Sequence, residues 1–229
     1  YFFDIDKISD IKTNLPHMLP SQRKFEKKVR SFGINQNSLI AAYDVKGIFS
    51  SPRVWWMFKY FGHNNIFVLN GGLKKWLKEK KPVTNKKTYF KKGNFISQLS
   101  KEFLVTKNEV LESINRKNSL TFDARHKDRF NGKVKEPRKG LRSGHIPGSK
   151  NIFWGNLINR KGTLVSKKKI NNLFNKFPIK NKKIITSCGS GITACILSLS
   201  LLHGPKIQTS VYDGSWAEWG QNKKLPISK

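Results

Sequence analysis

Acidic residues are scarce in this 229-residue chain: 14 Asp and Glu stand against 45 Lys and Arg, for a net charge of +31. Between Glu136 and Asp213 there are none. A field of one sign attracts anions, be they a nucleic-acid backbone or a small carboxylate. Cysteine is nearly absent too. Cys188 and Cys195 are the two present, too few for a disulfide scaffold or a four-cysteine zinc site. Long apolar runs are also lacking. Residues 184–205 carry no charged side chain, a length that raises the question of a membrane helix. The Gly-Ser-Gly within it, its Ser and Thr, and the closing His203-Gly204-Pro205 read instead as a strand, a turn and a buried helix. Tyr1 to Asp6 shows neither the basic start nor the apolar run of a signal peptide. A cytoplasmic, reducing setting is therefore expected.

The basic residues recur as short groups such as KEKK and SKKK, and no block reaches six like charges. That pattern reads as a solvated lysine-rich surface. No helix-turn-helix, zinc-finger or RNP pattern accompanies it, so neither a specific nucleic acid nor a membrane is expected as partner. A basic nucleic-acid-binding protein is the less favoured reading. Apolar residues make up 37%, enough at this length for a sizeable core.

The chain repeats itself. Ile40–Asp44 reads as a buried strand entering a turn. Ser51-Pro52 opens a helix whose Val54, Trp55, Phe58 and Phe61 share an apolar face. Ile66–Leu69 is a second strand, Asn70-Gly71-Gly72 a turn, and Leu73–Leu77 a helix start. The same order returns as Ile184–Ser187, the turn Cys188–Gly191, a helix from Ile192 to Leu202, the strand Ser210–Tyr212, the turn Asp213-Gly214 and a helix start at Trp216–Trp219. Asn70 aligns with Asp213 and Asp44 with Cys188, a period of about 143 residues. Two tandem α/β domains follow, each a mainly parallel sheet flanked by helices. Residues 1–85 form the first, 86–103 a lysine-rich linker and 104–229 the second. The second unit also carries Leu104–Ile114 and Leu120–Asp123. With that unit as template, the first domain is expected to be N-terminally truncated by about 30 residues and to expose a sheet edge.

Cys188 stands directly after a strand and before a helix, where backbone N–H groups and the helix dipole favour a thiolate. Gly189 and Gly191 let the loop curl around one sulfur. Cys195, inside the helix, reads as core. An Arg at the sixth position after Cys188 would suggest phosphatase chemistry, but Ala194 stands there.

The stretch Cys188-Gly189-Ser190-Gly191-Ile192-Thr193-Ala194-Cys195 resembles the active-site loop of the 3-mercaptopyruvate sulfurtransferases of the rhodanese superfamily. Matching stretches run along the chain: Pro16-His17-Met18-Leu19-Pro20, Arg53-Val54-Trp55-Trp56-Met57-Phe58, Gly71-Gly72-Leu73, Gly144-His145-Ile146-Pro147-Gly148 and Tyr212-Asp213-Gly214-Ser215-Trp216. The resemblance implies two packed rhodanese-like domains, the first inactive. Asp44, at the repeat position of Cys188, suits a degenerate site. It implies that Cys188 accepts sulfur from 3-mercaptopyruvate as a persulfide. A thiol acceptor, thioredoxin or a small thiol, or else cyanide, then takes that sulfur. No metal or organic cofactor is called for.

The resemblance further implies a Ser190–His17–Asp6 proton relay. It implies substrate binding by Arg129 and Arg138 and by the loop residues Gly189, Gly191, Ile192 and Thr193. Asp6 equally fits a helix or turn cap, and His17 a hydrogen-bonded core histidine. Arg125 reads as a structural ion-pair partner, His145 as the organiser of its own turn, and Trp55-Trp56 as core or interface. A thiosulfate sulfurtransferase is the nearest rival. Relatives of that preference carry cations in the loop after the cysteine, where this chain has Gly189, Ser190 and Gly191. Phe49 departs from the Tyr that some relatives place near the substrate.

Overall fold

The computed structural model describes residues 1–229. In the first unit a short helix α1 (Ile5–Ile8) is capped by Asp4, whose carboxylate accepts the Lys7 N–H. Helix α2 (Gln22–Ser31) starts at a Ser21 cap and buries Phe25 and Val29. Strand β1 (Ile40–Ala42), helix α3 (Ser51–Tyr60), strand β2 (Ile66–Val68) and helix α4 (Gly72–Lys78) follow. β1 and β2 pair in parallel, Ile40 with Ile66 through Ala42 with Val68. α3 carries Pro in its first turn, where the missing N–H costs nothing. At the turn into α4, a Cβ on Gly72 would lie 2.2 Å from the Asp44 carbonyl, and φ there is +55°, so only glycine fits.

Residues 81–100 have no regular structure, but the expected linker 86–103 is not free over its whole length. From Gly93 onward it is packed on the first unit. The Gly93 N–H donates to the Arg30 carbonyl at 2.8 Å, and the Glu26 carboxylate accepts both the N–H and the hydroxyl of Ser97 at 2.8 Å. Phe95 is fully buried among Phe25, Phe58 and His63. One aromatic in an aperiodic lysine-rich stretch carries no periodic signal.

The second unit runs β3 (Leu104–Val105), α5 (Lys107–Ser113), β4 (Ser119–Asp123), α6 (Lys127–Phe130), β5 (Lys150–Asn151), α7 (Lys167–Phe174), β6 (Lys183–Ser187), α8 (Ala194–His203), β7 (Thr209–Tyr212) and α9 (Ser215–Trp219). Its five strands lie in the order β3-β7-β6-β4-β5, every pairing parallel. The chain leaves β6 toward β7 on one side, whereas β4 leads to β5 on the other. The crevice beyond the ends of β4 and β6 is thus the topological switch point, where such sheets bind ligands.

The first unit's sheet has two strands, with Leu39 and Phe67 exposed beside it. α8 is buried from Ala194 to Ser198 and packs on α3. A continuous apolar cluster runs from Phe25, Trp56 and Phe58 to Ile184, Leu197 and Val211. Trp56 is fully buried and donates its indole N–H to the Phe103 carbonyl at 2.8 Å. No helix is long and apolar enough to cross a membrane.

The loop after β1 closes on its own side chain. The Asp44 carboxylate accepts the N–H groups of Phe49, Ser50 and Ser51 and the Ser51 hydroxyl on one oxygen, and the Lys46 N–H on the other. These donors hold its pKa below the ordinary 3.8 although burial opposes them. A depressed folded pKa contributes stability above the unfolded pKa and loses it as pH falls through the folded value. Asp44→Ala is expected to cost about 2 kcal/mol in urea unfolding at pH 7. The gap between the variant and the unsubstituted protein should close progressively below about pH 4.

Candidate active site

Cys188 follows the last residue of β6 and lies at the floor of a cavity of about 550 Å³ between the units. Only 1% of the residue reaches solvent, although it lines the cavity. Helix α8 begins at Ala194 rather than Ile192. The sulfur is therefore separated from the helix N-terminus by the whole loop, a correction to the direct strand–cysteine–helix reading.

The expected ring of amides is also more selective. The Ser190 N–H points at Sγ from 3.5 Å. The N–H groups of Cys188 and Gly191 instead both donate to the Ser215 hydroxyl at 3.1 Å, which donates to the Tyr212 carbonyl at 2.8 Å. The first turn of α9 completes the frame. The Trp216 and Ala217 N–H groups donate to the carbonyls of Cys188 and Gly189, both at 2.9 Å. Ser215 is fully buried with φ at +48°, an unfavourable backbone for a non-glycine residue. Sequence reasoning quoted Ser215 only within a matching stretch. Its pivotal position depends on β6 and β7 being neighbours, which no local pattern encodes.

Nine of the ten expected site residues line this cavity: Asp6, His17, Arg129, Arg138, Cys188, Gly189, Ser190, Ile192 and Thr193. Gly191 does not. Its carbonyl accepts from Arg53 at 3.3 Å and from the Cys195 thiol at 3.2 Å, and with φ at +77° it turns inward. It is a pivot of the loop, which corrects its expected contact with substrate. Cys195 belongs to the core, and burial raises its pKa well above the ordinary 9.0 although the Arg53 charge opposes this.

The relay residues meet across the domain boundary. His17 Nδ1 lies 3.0 Å from the Ser190 hydroxyl, and Nε2 lies 3.2 Å from the Asp6 carboxylate. With the proton on Nε2, facing Asp6, Nδ1 accepts from Ser190. The Asp6 side chain is 81% exposed, so its grip is screened and weak. Burial lowers the His17 pKa below 6.5. The Ser190 carbonyl and Asp6 oppose this, and Arg53 and Arg138 reinforce it. The imidazole is thus neutral at pH 7 and able to carry a proton either way.

The two arginines differ. Arg129 gives Nε and Nη2 to Glu136 at 3.2 and 2.6 Å, leaving Nη1 for a ligand. Glu136 is itself held by Arg125, which is buried, pairs with Asp123 and lies 4.3 Å over Trp216. Arg125 is a structural ion-pair partner that also lines the cavity. Arg138 has no hydrogen bond or ion pair inside the chain and extends into the cavity. A Cβ on Gly189 would stand 3.2 Å from Arg129 Nη2 and 3.9 Å from Arg138 Nη1, so both guanidinium groups converge on the residue that follows Cys188. Phe49, Phe153 and Trp154 form an apolar wall, with Phe49 edge-on to Trp154 at 5.3 Å. His145 bonds the Phe130 carbonyl at 2.9 Å and stacks on that ring, outside the cavity.

These features define a tandem α/β protein that presents one cysteine at the strand ends of a parallel sheet, in a cavity shared with two arginines. Comparison with known proteins agrees. A model of the rhodanese-like domain family matches residues 9–79 and 106–222. The chain is 38% identical to thiosulfate/3-mercaptopyruvate sulfurtransferase 1, mitochondrial, of Arabidopsis thaliana, with 99% of this chain and 65% of that protein covered. It is 38% identical to 3-mercaptopyruvate sulfurtransferase of Mus musculus, with 95% and 74% covered. The crystal structure of SseA from Escherichia coli, described as a 3-mercaptopyruvate sulfotransferase, superposes with a TM-score of 0.83 at 36% identity, covering 94% of this chain and 80% of that one. The chain belongs to the rhodanese family, among its two-domain sulfurtransferases. It spans about two thirds to four fifths of the length of these relatives.

Removing the Ser215 hydroxyl leaves two buried amides without an acceptor. Ser215→Ala is expected to cost about 1–3 kcal/mol, read by thermal melting, and to change the rate at which iodoacetamide alkylates Cys188.

Proposed function

We propose that this protein takes the sulfur of 3-mercaptopyruvate onto Cys188 and passes it to a thiol. The observation that carries the reading is the convergence, over one buried sulfur, of a guanidinium without a protein partner and a serine bonded to a neutral histidine. Arg138 and the free arm of Arg129 suit the carboxylate and keto oxygen of an α-keto acid, because planar forks bind paired oxygens. The Cys188 thiolate attacks the substrate sulfur. The carbon–sulfur bond breaks with its electron pair moving to carbon, giving the enolate of pyruvate. The proton shed by the transferred sulfur reaches that carbon through Ser190 and His17, with Asp6 orienting the ring. The persulfide is stabilised by the Ser190 N–H. An acceptor thiolate then attacks the outer sulfur, and the sulfur–sulfur bond breaks to restore the Cys188 thiolate. Gly189, Ile192 and Thr193 shape the floor beside the reacting atoms.

The acceptor is proposed to be a thiol, thioredoxin or a small molecule, with cyanide as a substitute. Two free cysteines suit a reducing compartment, and we assign the cytoplasm. The dual name of the Arabidopsis relative supports thiosulfate as a second donor. The loop after Cys188 offers that dianion no cation of its own, which favours mercaptopyruvate.

Intact-mass measurement after exposure to 3-mercaptopyruvate should show one added sulfur, absent in Cys188→Ser. Arg138→Ala should raise KM for 3-mercaptopyruvate about tenfold or more, and initial rates should favour that donor over thiosulfate. A faster reaction with thiosulfate overturns the donor assignment. Because the His17 pKa is lowered, its neutral form persists below pH 6.5. The acid limb of kcat should lie below that value and vanish in His17→Ala.

A further inference from the structure

We propose that Arg53, on α3 of the first unit, is a positioning residue that sets the contact between His17 and Ser190 by binding backbone from both sides of that contact with one guanidinium group. This rests on the reading of His17 as the proton carrier. Arg53 is fully buried on a helix whose Trp55, Trp56, Met57 and Phe58 are buried as well. Its Nη2 donates to the carbonyl of His17. Its Nη1 donates to the carbonyl of Gly191 at 3.3 Å and to one Asp213 oxygen at 2.5 Å. The other Asp213 oxygen accepts the Leu19 N–H at 2.7 Å. The ion pair therefore brackets the His17 turn, holding the carbonyl of residue 17 and the amide of residue 19. It also grips the cysteine loop one residue beyond Ser190.

The turn needs such a hold. His17 has φ at +62°, a left-handed backbone that an L-residue adopts only under constraint. A rigid planar fork fixes the carbonyls it binds relative to each other, which an ammonium on a flexible stem cannot do. Stability alone is a poor account of the residue. A buried ion pair is often replaced without loss by apolar side chains of similar size, and Arg53 keeps its Nε buried without any partner. The same guanidinium opposes protonation of His17, as does Arg138, while Asp6 favours it.

The test is a double-mutant cycle on kcat for 3-mercaptopyruvate, with melting temperatures as a control, using Arg53→Lys, His17→Ala and the double variant. Arg53→Lys should lower kcat about tenfold with KM changed less than about threefold, since Arg129 and Arg138 are untouched. In the His17→Ala background the same substitution should change kcat by less than about twofold. An unchanged kcat in Arg53→Lys, or an equal loss in both backgrounds, overturns the proposal. If His17→Ala itself keeps the original kcat, the proton-carrier reading fails, and this inference fails with it on separate grounds. Should Arg53→Lys not fold, Asp213→Asn replaces it in the cycle. A loss of about threefold or more confined to the His17 background supports the proposal, and additivity overturns it.

Discussion

A buried loop without regular secondary structure must find a partner for each of its backbone groups elsewhere. The buried backbone of Cys188 and Gly191 meets this constraint through partners elsewhere in the molecule. Ser215 takes two of the loop's amides, the first turn of α9 takes two of its carbonyls, and Arg53 takes a third. The Ser190 amide is left to face sulfur. The loop is thus rigid before any substrate arrives, and a rigid donor aimed at sulfur needs no reorganisation when charge develops there.

The two units use one design for opposite ends. After β1 the loop wraps its amides around the carboxylate of Asp44, so its anion is built in. After β6 the equivalent place holds Cys188, and the Ser190 N–H faces its sulfur. The filled loop still contributes, because Phe49 and Ser50 within it line the cavity over Cys188. The first unit's small sheet shares one continuous apolar cluster with the second unit. There α3 packs on α8, and that contact brings His17 to Ser190.

The charge composition divides by residue type. No lysine is buried, and the two buried cations, Arg53 and Arg125, are arginines, although Arg23, Arg116 and Arg160 lie exposed with the lysines. Arg53 joins the units, Arg125 organises Glu136 beneath Arg129, and Arg142 binds four carbonyls between Trp219 and Leu225. A guanidinium presents five donors in a rigid plane, where an ammonium presents three on a flexible stem. The excess charge therefore says little about a polyanionic partner, and the few arginines say more about chemistry.

Much was legible before any fold was known. Strand, turn and helix followed each other with periods that local patterns reveal, and Cys188 stood at the end of a strand as Asp44 did about 143 residues earlier. The relay of Asp6, His17 and Ser190 was legible only through resemblance, because its members lie up to 184 positions apart. Gly191 was placed with the substrate because a loop glycine looks alike from either side; which side faces the cavity depends on Arg53 and Ser215. Phe95 was lost in a lysine-rich stretch, and the roles of Ser215 and Arg53 were not visible at all. The amino-acid order by itself determined the elements, the repeat and the cysteine at a strand end, since these depend on neighbours along the chain. Tertiary structure alone decided which amides see sulfur, which arginine is free and how the two halves of the site are held in register, because each of those depends on partners that the chain brings together only by folding.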